Sequence, residues 1–365
     1  MSTTNFGTND ALALKLWAKK AFNDSVKETL CGKMIGTSDR SIIQVKDETS
    51  KSVGDRIRFS LRALPSGTGV QDDETLEGNE EGLSFTNFDL NLGEKRYANK
   101  VDLNISEQRT MFDVRNEAKD ALVEWSADYM DTTVFEYMSG IGQGPVGSPL
   151  APIGTYGSRY HTSGPLGGNS LDSFSADRQV FGGAATSVNT LTAGMGMTLT
   201  VVDKLVERAK LASPTMRKAS FDGRNLWVLV LHPWQVSAIR ANTSTGQWLD
   251  IQKALTQGGG KGLLFEEALG VYRDVLMVES TRIPTFINGS SVSCARALFL
   301  GAQAGVVAYG RKTKDSGKLD MVERSFDYGK RLGQSCGYIW GLRRTKFQGQ
   351  SDFASFAVDT AAAAL

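Results

Sequence analysis

From Asp55 to Ala63 the chain alternates strictly, with Ile57, Phe59, Leu61 and Ala63 pointing one way and Arg56, Arg58, Ser60 and Arg62 the other. A second strand-like stretch carries Leu83 and Phe85, then Phe88, Leu90 and Leu92, with a slip at Thr86–Asn87 that predicts a bulge. Between the two lies 65-PSGTGVQDDETLEGNEEG-82, which holds Asp72, Asp73, Glu74, Glu77, Glu80 and Glu81 and neither lysine nor arginine. Loops of that length are uncommon inside a compact domain and are usually functional or disordered. The pair therefore predicts an extended two-stranded arm reaching away from the body. A lone hairpin is marginal in water, so its apolar stripe needs a second surface to cover it. That requirement points to contact between copies.

A long helix is predicted next, from about Ser106 to Met138. Ser106 stands as N-cap, Glu107 lies in the first turn, and Gly140 marks the stop. Met111, Val114, Ala118, Ala121, Trp125 and Tyr129 recur at helical spacing. At 1.5 Å per residue the helix would run ~50 Å, far beyond the ~11–12 residues of an average helix. Upstream, residues 10–35 read as an amphipathic helix or arm. Leu14, Trp17, Ala21, Phe22, Val26 and Leu30 form its apolar side, with Lys15, Lys19, Lys20 and Lys27 elsewhere.

Thirteen of the 39 glycines and four of the eight prolines fall between Ser139 and Gly196, one punctuated region without an internal repeat. Beyond it, Thr200–Ala212 reads as a helix, and 226-LWVLVL-231 as a strand buried on both faces. His232–Asn242 and Thr245–Thr256 read as helices and Val275–Glu279 as a strand. Ala297–Gly310 reads as a strand plus turn in a packed core. Val322–Phe347 is strand-rich and ends in a basic cluster, 343-RRTK-346, expected to be exposed. The closing DTAAAAL is expected to fray or to finish a helix.

The 365 residues allow two or three packed units, and 41 basic against 40 acidic side chains give a net charge of +1. That balance argues against a dedicated nucleic-acid binder, though not against a protein that encloses nucleic acid. Three scattered cysteines without a CxxC, and no secretory signal, fit synthesis in a reducing cytoplasm. The longest apolar runs fall far short of the ~20 residues of a membrane span.

Catalytic motifs fail one by one. The single G-x-G-x-x-G, 142-GQGPVG-147, follows a helix rather than a strand and carries Pro145. The single G-x-S-x-G, 333-GQSCG-337, has no histidine after it, since the only two are His161 and His232. His232 fits a satisfied core or helix-start histidine better than a ligand. Counted from Asp73, the acidic loop places Ser84 where a calcium loop needs glutamate. The loop is either a solvated acidic face or a partner for basic residues of a neighbouring chain. No metal or cofactor site and no enzyme activity is expected.

Four segments in order, 228-VLVLHPWQVSAIRAN-242, 265-FEEALGVYRDVLMVESTRIP-284, 298-LFLGAQAGVVAYGRK-312 and 326-FDYGKRLGQSCGYIWGLRRTKF-347, resemble the major capsid proteins of tailed bacteriophages. More narrowly they resemble the capsid family of phages similar to coliphage N-four. The resemblance implies an α+β, Hong Kong 97-type (HK-type) capsid fold. Its parts would be an N-terminal arm (residues 1–53), an E-loop hairpin (54–97), a P domain with spine helix (98–223), an A domain (224–311) and a return to the P domain with the C-terminal tail (312–365). It implies hexamers and pentamers closing into an icosahedral virion shell around double-stranded DNA, assembled in the bacterial cytoplasm. A separate scaffold protein, a portal and a decoration protein are the implied partners, with no membrane. Candidate contacts between subunits are Ile57, Phe59, Leu61, Phe85 and Leu90, the six carboxylates of the loop, and Lys15, Lys19 and Lys20. Arg56, Arg58, Arg62 or the arm lysines would receive the loop's carboxylates. The alternative is another phage structural component, such as a portal or tail protein.

Overall fold

A computed structural model describes residues 31–46, 56–62, most of 67–83, then 85–102, 113–142, 159–161, 165–221, 223–241, 268–310, 319–347 and 351–363. Most of the predicted N-terminal helix or arm, with Lys15, Lys19 and Lys20, and the stretch Thr245–Thr256 lie outside the described residues, and the described end of that prediction is a short 3-10 turn at Cys31–Lys33 rather than α-helix. In chain order come β1 (Ile35–Gly36), β2 (Ile43–Lys46), β3 (Arg56–Arg62), β4 (Phe85–Asn91), β5 (Gly93–Asp102), helix α1 (Val114–Ser139) and β6 (Gln179–Phe181). Helix α2 (Leu199–Leu211) precedes β7 (Ala219–Phe221) and β8 (Arg224–Leu231), then α3 (Pro233–Ala241), β9 (Ala268–Tyr272), β10 (Val275–Glu279) and β11 (Thr285–Ile287). The chain closes with β12 (Ser293–Leu300), β13 (Gly305–Tyr309), β14 (Leu319–Phe326), β15 (Arg331–Arg344) and β16 (Ser355–Ala361).

Two sheets carry the core. The first has six strands in the order β1-β2-β13-β15-β14, with β5 also on β15. Along β15 Leu332, Gln334, Cys336, Tyr338 and Trp340 are buried in turn, the period-two pattern of a half-covered strand. Helix α1 covers that face: Trp340 Nε1 donates to the Tyr129 hydroxyl at 3.0 Å, and Gln334 Nε2 to the Arg115 carbonyl at 3.4 Å. The second sheet has eight strands, β6-β16-β12-β8-β10-β9, with β11 on β12 and β7 on β8. Strands β8 and β10 run parallel, and every residue from Leu226 to Leu231 is buried, as the continuous apolar run predicts. The sheets do not follow boundaries at 224 and 311. Strands β6 and β16 join the second sheet from outside that range, and β13 leaves it for the first.

Helix α1 corrects its sequence reading at one end and agrees at the other. Its N-cap is Asp113, not Ser106: the carboxylate accepts from the backbone N–H groups of Arg115 (3.0 Å) and Asn116 (3.3 Å). Gly140 closes it in the left-handed region at φ 67°, its N–H bonded to the Glu136 carbonyl. A Cβ there would stand 2.4 Å from the Asp172 carbonyl oxygen, so only glycine fits. The expected apolar stripe is also rephased, with Leu122 buried and Ala121 exposed. From Ser126 to Ser139 every residue except Asp128 is buried. The C-terminal half of the helix is enclosed between the two sheets rather than laid on one.

That enclosure explains two further corrections. The 343-RRTK-346 segment is not an exposed basic cluster, because Arg344 and Thr345 are buried and Arg343 is half-buried. Arg344, on β15, donates to Asp352 Oδ1 (2.7 Å) and to the carbonyls of Asp172 (2.7 Å) and Met138 (3.2 Å). Arg296, on β12, forks onto Asp359 with both bonds at 2.7 Å and reaches the Ser139 carbonyl at 3.4 Å. One guanidinium from each sheet thus meets the carbonyl end of α1, where the helix dipole favours cations. Asp359 and Asp352 are the matching anions. Of the tail expected to fray, Asp359–Ala361 instead complete the buried strand β16, which lies between β6 and β12, and Ala364 and Leu365 lie outside the described residues. Ala297–Gly310 likewise divides into two strands of different sheets, β12 and β13.

Candidate self-association surface

Strands β3 and β4 pair antiparallel from Arg56↔Asn91 to Arg62↔Phe85 without a register shift, so the predicted bulge is absent. The unbroken register sorts the side chains by face. Ile57↔Leu90 and Phe59↔Phe88 share one face, while Arg58↔Asp89, Ser60↔Asn87 and Arg62↔Phe85 share the other. Phe85 thus leaves the apolar stripe to which its spacing assigned it, and is 57% exposed.

The apolar face is covered by the chain's own body. Ile57, Phe88 and Leu90 are buried in one cluster with Val306 and Ala308 of β13 and Phe347, and Phe59 packs against it half-covered. Phe88 meets the edge of Phe347 at 6.0 Å between ring centroids, and Arg343 lies over the Phe88 ring at 5.3 Å. Asn169 fixes the strand end by accepting from the Asn91 N–H (3.0 Å) and donating to its carbonyl (2.8 Å). Gly341 admits that carbonyl against β15, since a Cβ would stand 2.1 Å from it. Ile57 and Leu90 are therefore intrachain core, correcting their place among contacts between copies. The apolar run Val306–Ala308 was the sequence signal for that cover, but nothing in the sequence aligned it with the hairpin.

What the hairpin leaves uncovered is its far end. Leu83 is 60% exposed, and Asp72, Glu77, Glu80 and Glu81 are all exposed. Glu80 Oε2 accepts from the Gly78 N–H (2.8 Å) and Glu81 Oε2 from the Gly67 N–H (2.7 Å), turning the loop back on its own backbone. Asp73, Glu74 and the Leu61 side chain lie outside the described residues. On the hairpin's outer face Arg58 grips Asp89 through Nε (2.7 Å) and Nη2 (3.0 Å), and Arg56 reaches Asp89 at 3.5 Å and Asn91 at 3.0 Å. The Arg58 guanidinium holds the Asp89 carboxyl below the usual carboxylate range. Both arginines are already engaged within the hairpin that bears the acidic loop.

The remaining reactive groups serve packing. Ser335, of the G-x-S-x-G match, sits inside strand β15 and donates to the Val322 carbonyl. Cys31, Cys294 and Cys336 are buried and free, and burial raises each thiol's pKa, that of Cys294 to about 11 and of Cys336 to about 12. His232 opens α3, its Nδ1 accepting from the Trp234 N–H at 3.2 Å. Desolvation lowers its pKa to about 4. Among the described residues no group of three His, Cys, Asp or Glu is placed to hold a metal, and no helix is long and apolar enough to cross a membrane.

The description "Phage capsid protein" matches the chain over residues 5–364. The chain belongs to that family. Its members are structural components of the virion rather than enzymes. The chain is 26% identical over 370 residues to the major capsid protein of Pseudomonas phage KPP25, covering 94% of this chain and 92% of the relative. It superposes on the capsid of Ralstonia phage GP4 with a TM-score of 0.79 at 27% identity, covering 100% of this chain and 99% of that one. The Cyanophage Pam1 capsid gives 0.71 at 18% identity, over 93% and 94% of the two chains. The α+β fold of this capsid protein is accordingly the HK-type capsid fold.

Proposed function

We propose that the chain is the major capsid protein of a tailed phage related to those similar to coliphage N-four. Copies assemble as hexamers and pentamers into an icosahedral shell that encloses double-stranded DNA without reading its sequence. In this reading β3–β4 is the E-loop and α1 the spine helix. Shells form in the bacterial cytoplasm, on a separate scaffold protein and around a portal, and can take a decoration protein. The observation that carries it is the division of labour along the hairpin. Its base is locked into the subunit by Ile57, Phe88, Leu90 and Asn169, while Leu83, Phe85, Asp72, Glu77, Glu80 and Glu81 project without cover. A fixed base with an uncovered tip is built for a heterologous contact repeated from copy to copy, which closes into rings.

Electron microscopy of the full chain, expressed with its phage scaffold, tests the reading. Closed shells are expected from the native sequence. Phe85→Asp should leave the free subunit folded, with its unfolding transition unmoved, and cut shell yield. Normal shells from Phe85→Asp would remove the hairpin tip from the interface, and twelve-fold discs from the native chain would point to a portal.

A further inference from the structure

Where the two sheets meet, the β1–β2 loop, the segment before β7 and the β12–β13 turn form a cleft lined by Arg40, Arg217, Lys218, Asn225 and Ala302. Its walls are fixed by backbone bonds: the Ser220 N–H donates to the Arg40 carbonyl (3.0 Å) and the Ala302 N–H to the Arg217 carbonyl (2.9 Å). Three cations converge there, and among the described residues one carboxylate meets them. Lys218 pairs with Asp274 at 2.8 Å and lies over the Trp227 ring. Arg40 donates to the Asn225 amide oxygen (3.3 Å) and Arg217 to that of Gln303, both neutral acceptors that an anion would outcompete.

We propose that this cleft receives the acidic loop 72–81 of a second copy of the chain. Charge complementarity selects that occupant. The loop holds six carboxylates and no cation between residues 65 and 82, and its described hydrogen bonds from Glu80 and Glu81 run to backbone N–H groups. Arg56 and Arg58, two cations on the same hairpin, are committed to Asp89. Each copy carries one loop and one cleft, so a ring of copies neutralises every loop with a neighbour. Such an arrangement sets register and encounter rate through opposite potentials. The inference rests on the self-assembly proposed above and adds the receiving residues.

The test uses the full chain in the same expression with scaffold, reading the shell fraction by sedimentation and the fold of free subunits by circular dichroism. Arg217→Glu with Lys218→Glu, and separately Glu77→Lys with Glu80→Lys, should each lower the shell fraction about tenfold or more. Combining all four should return it to within about threefold of the native chain. Arg40→Gln, a milder change at an exposed side chain, should weaken assembly and flatten its dependence on salt. Native shell yield from the cleft-reversed chain, or no recovery in the folded fourfold variant, overturns the pairing. Normal shells that fail to retain DNA would overturn it in favour of a phosphate site. Absence of shells from the native chain itself would instead defeat the capsid reading.

Discussion

Arg344 Nε stands 2.7 Å from Asp352 Oδ1, and neither side chain is more than 1% exposed. A buried pair of this kind contributes little over an apolar substitute, but removing one member leaves an uncompensated charge. Arg344→Met is expected to cost about 3–5 kcal/mol in urea unfolding of the unassembled subunit. Arg344→Met with Asp352→Leu should recover part of that loss. A single variant as stable as the native chain would contradict the geometry.

Leu90 is wholly buried beneath the hairpin. Leu90→Ala should destabilise the free subunit by about 2–5 kcal/mol, the range for emptying a core leucine. Phe85→Asp should leave stability within about 0.5 kcal/mol, as for surface substitutions. The contrast separates the locked base from the uncovered tip, and equal effects would reject it.

Trp125 stacks between Tyr97 at 4.6 Å and Tyr129 at 5.3 Å, but stays partly exposed on α1. Trp125→Ala should therefore cost about 2–3 kcal/mol, below the ~3–5 of a fully buried tryptophan yet above a surface change. Urea unfolding distinguishes the three.

His161 and His232 both have their pKa lowered to about 4, mainly by desolvation, with Lys95 adding to the effect at His161. Both are neutral in the folded chain, whereas an unfolded histidine takes a proton near pH 6.5. Their contribution to stability is complete above pH 6.5, falls as the pH drops towards 4, and levels off below that. His232→Gln should shrink this acid sensitivity in thermal unfolding between pH 7 and 4. An unchanged pH profile would remove His232 as a source.

The sequence between Arg62 and Lys95 contains no amine side chain, and Lys95 itself is drawn onto the Tyr160 carbonyl at 2.5 Å. A covalent link from this hairpin would need a free nucleophilic amine near the contact. Shells boiled in reducing detergent should run as one band near 39.5 kDa. A ladder of multimers would require an amine elsewhere in the chain.

Patterns that depend only on neighbours along the chain were legible. The run Leu226–Leu231, the alternation of β3 and the stop at Gly140 each follow from local sterics and hydropathy. Features decided by distant partners were not. Arg344 reads as a surface cation until Asp352 and the end of α1 surround it, and Asp359–Ala361 read as part of a tail until β6 and β12 flank the strand they complete. Phe85 was misplaced because skipping Thr86 and Asn87 mimics a bulge, which the ladder then resolves as a change of face. The cleft at Arg40, Arg217 and Lys218 gathers residues more than 170 positions apart and left no local trace.

Among the described strands β6 pairs only with β16, Gln179 opposite Ala357, 178 positions later in the chain. At ~5–20 residues per second, translation needs on the order of 10–40 s to deliver that partner. For the last part of that interval, once Ser293–Leu300 has been made, β12 has β8 and β11 on one side and, from Cys294 to Leu300, no neighbour yet on the other. A half-made subunit thus carries an open strand edge able to pair with any passing chain. Every copy being made shares that exposure, so the arrival of Ser355–Ala361 sets when it becomes safe to accumulate.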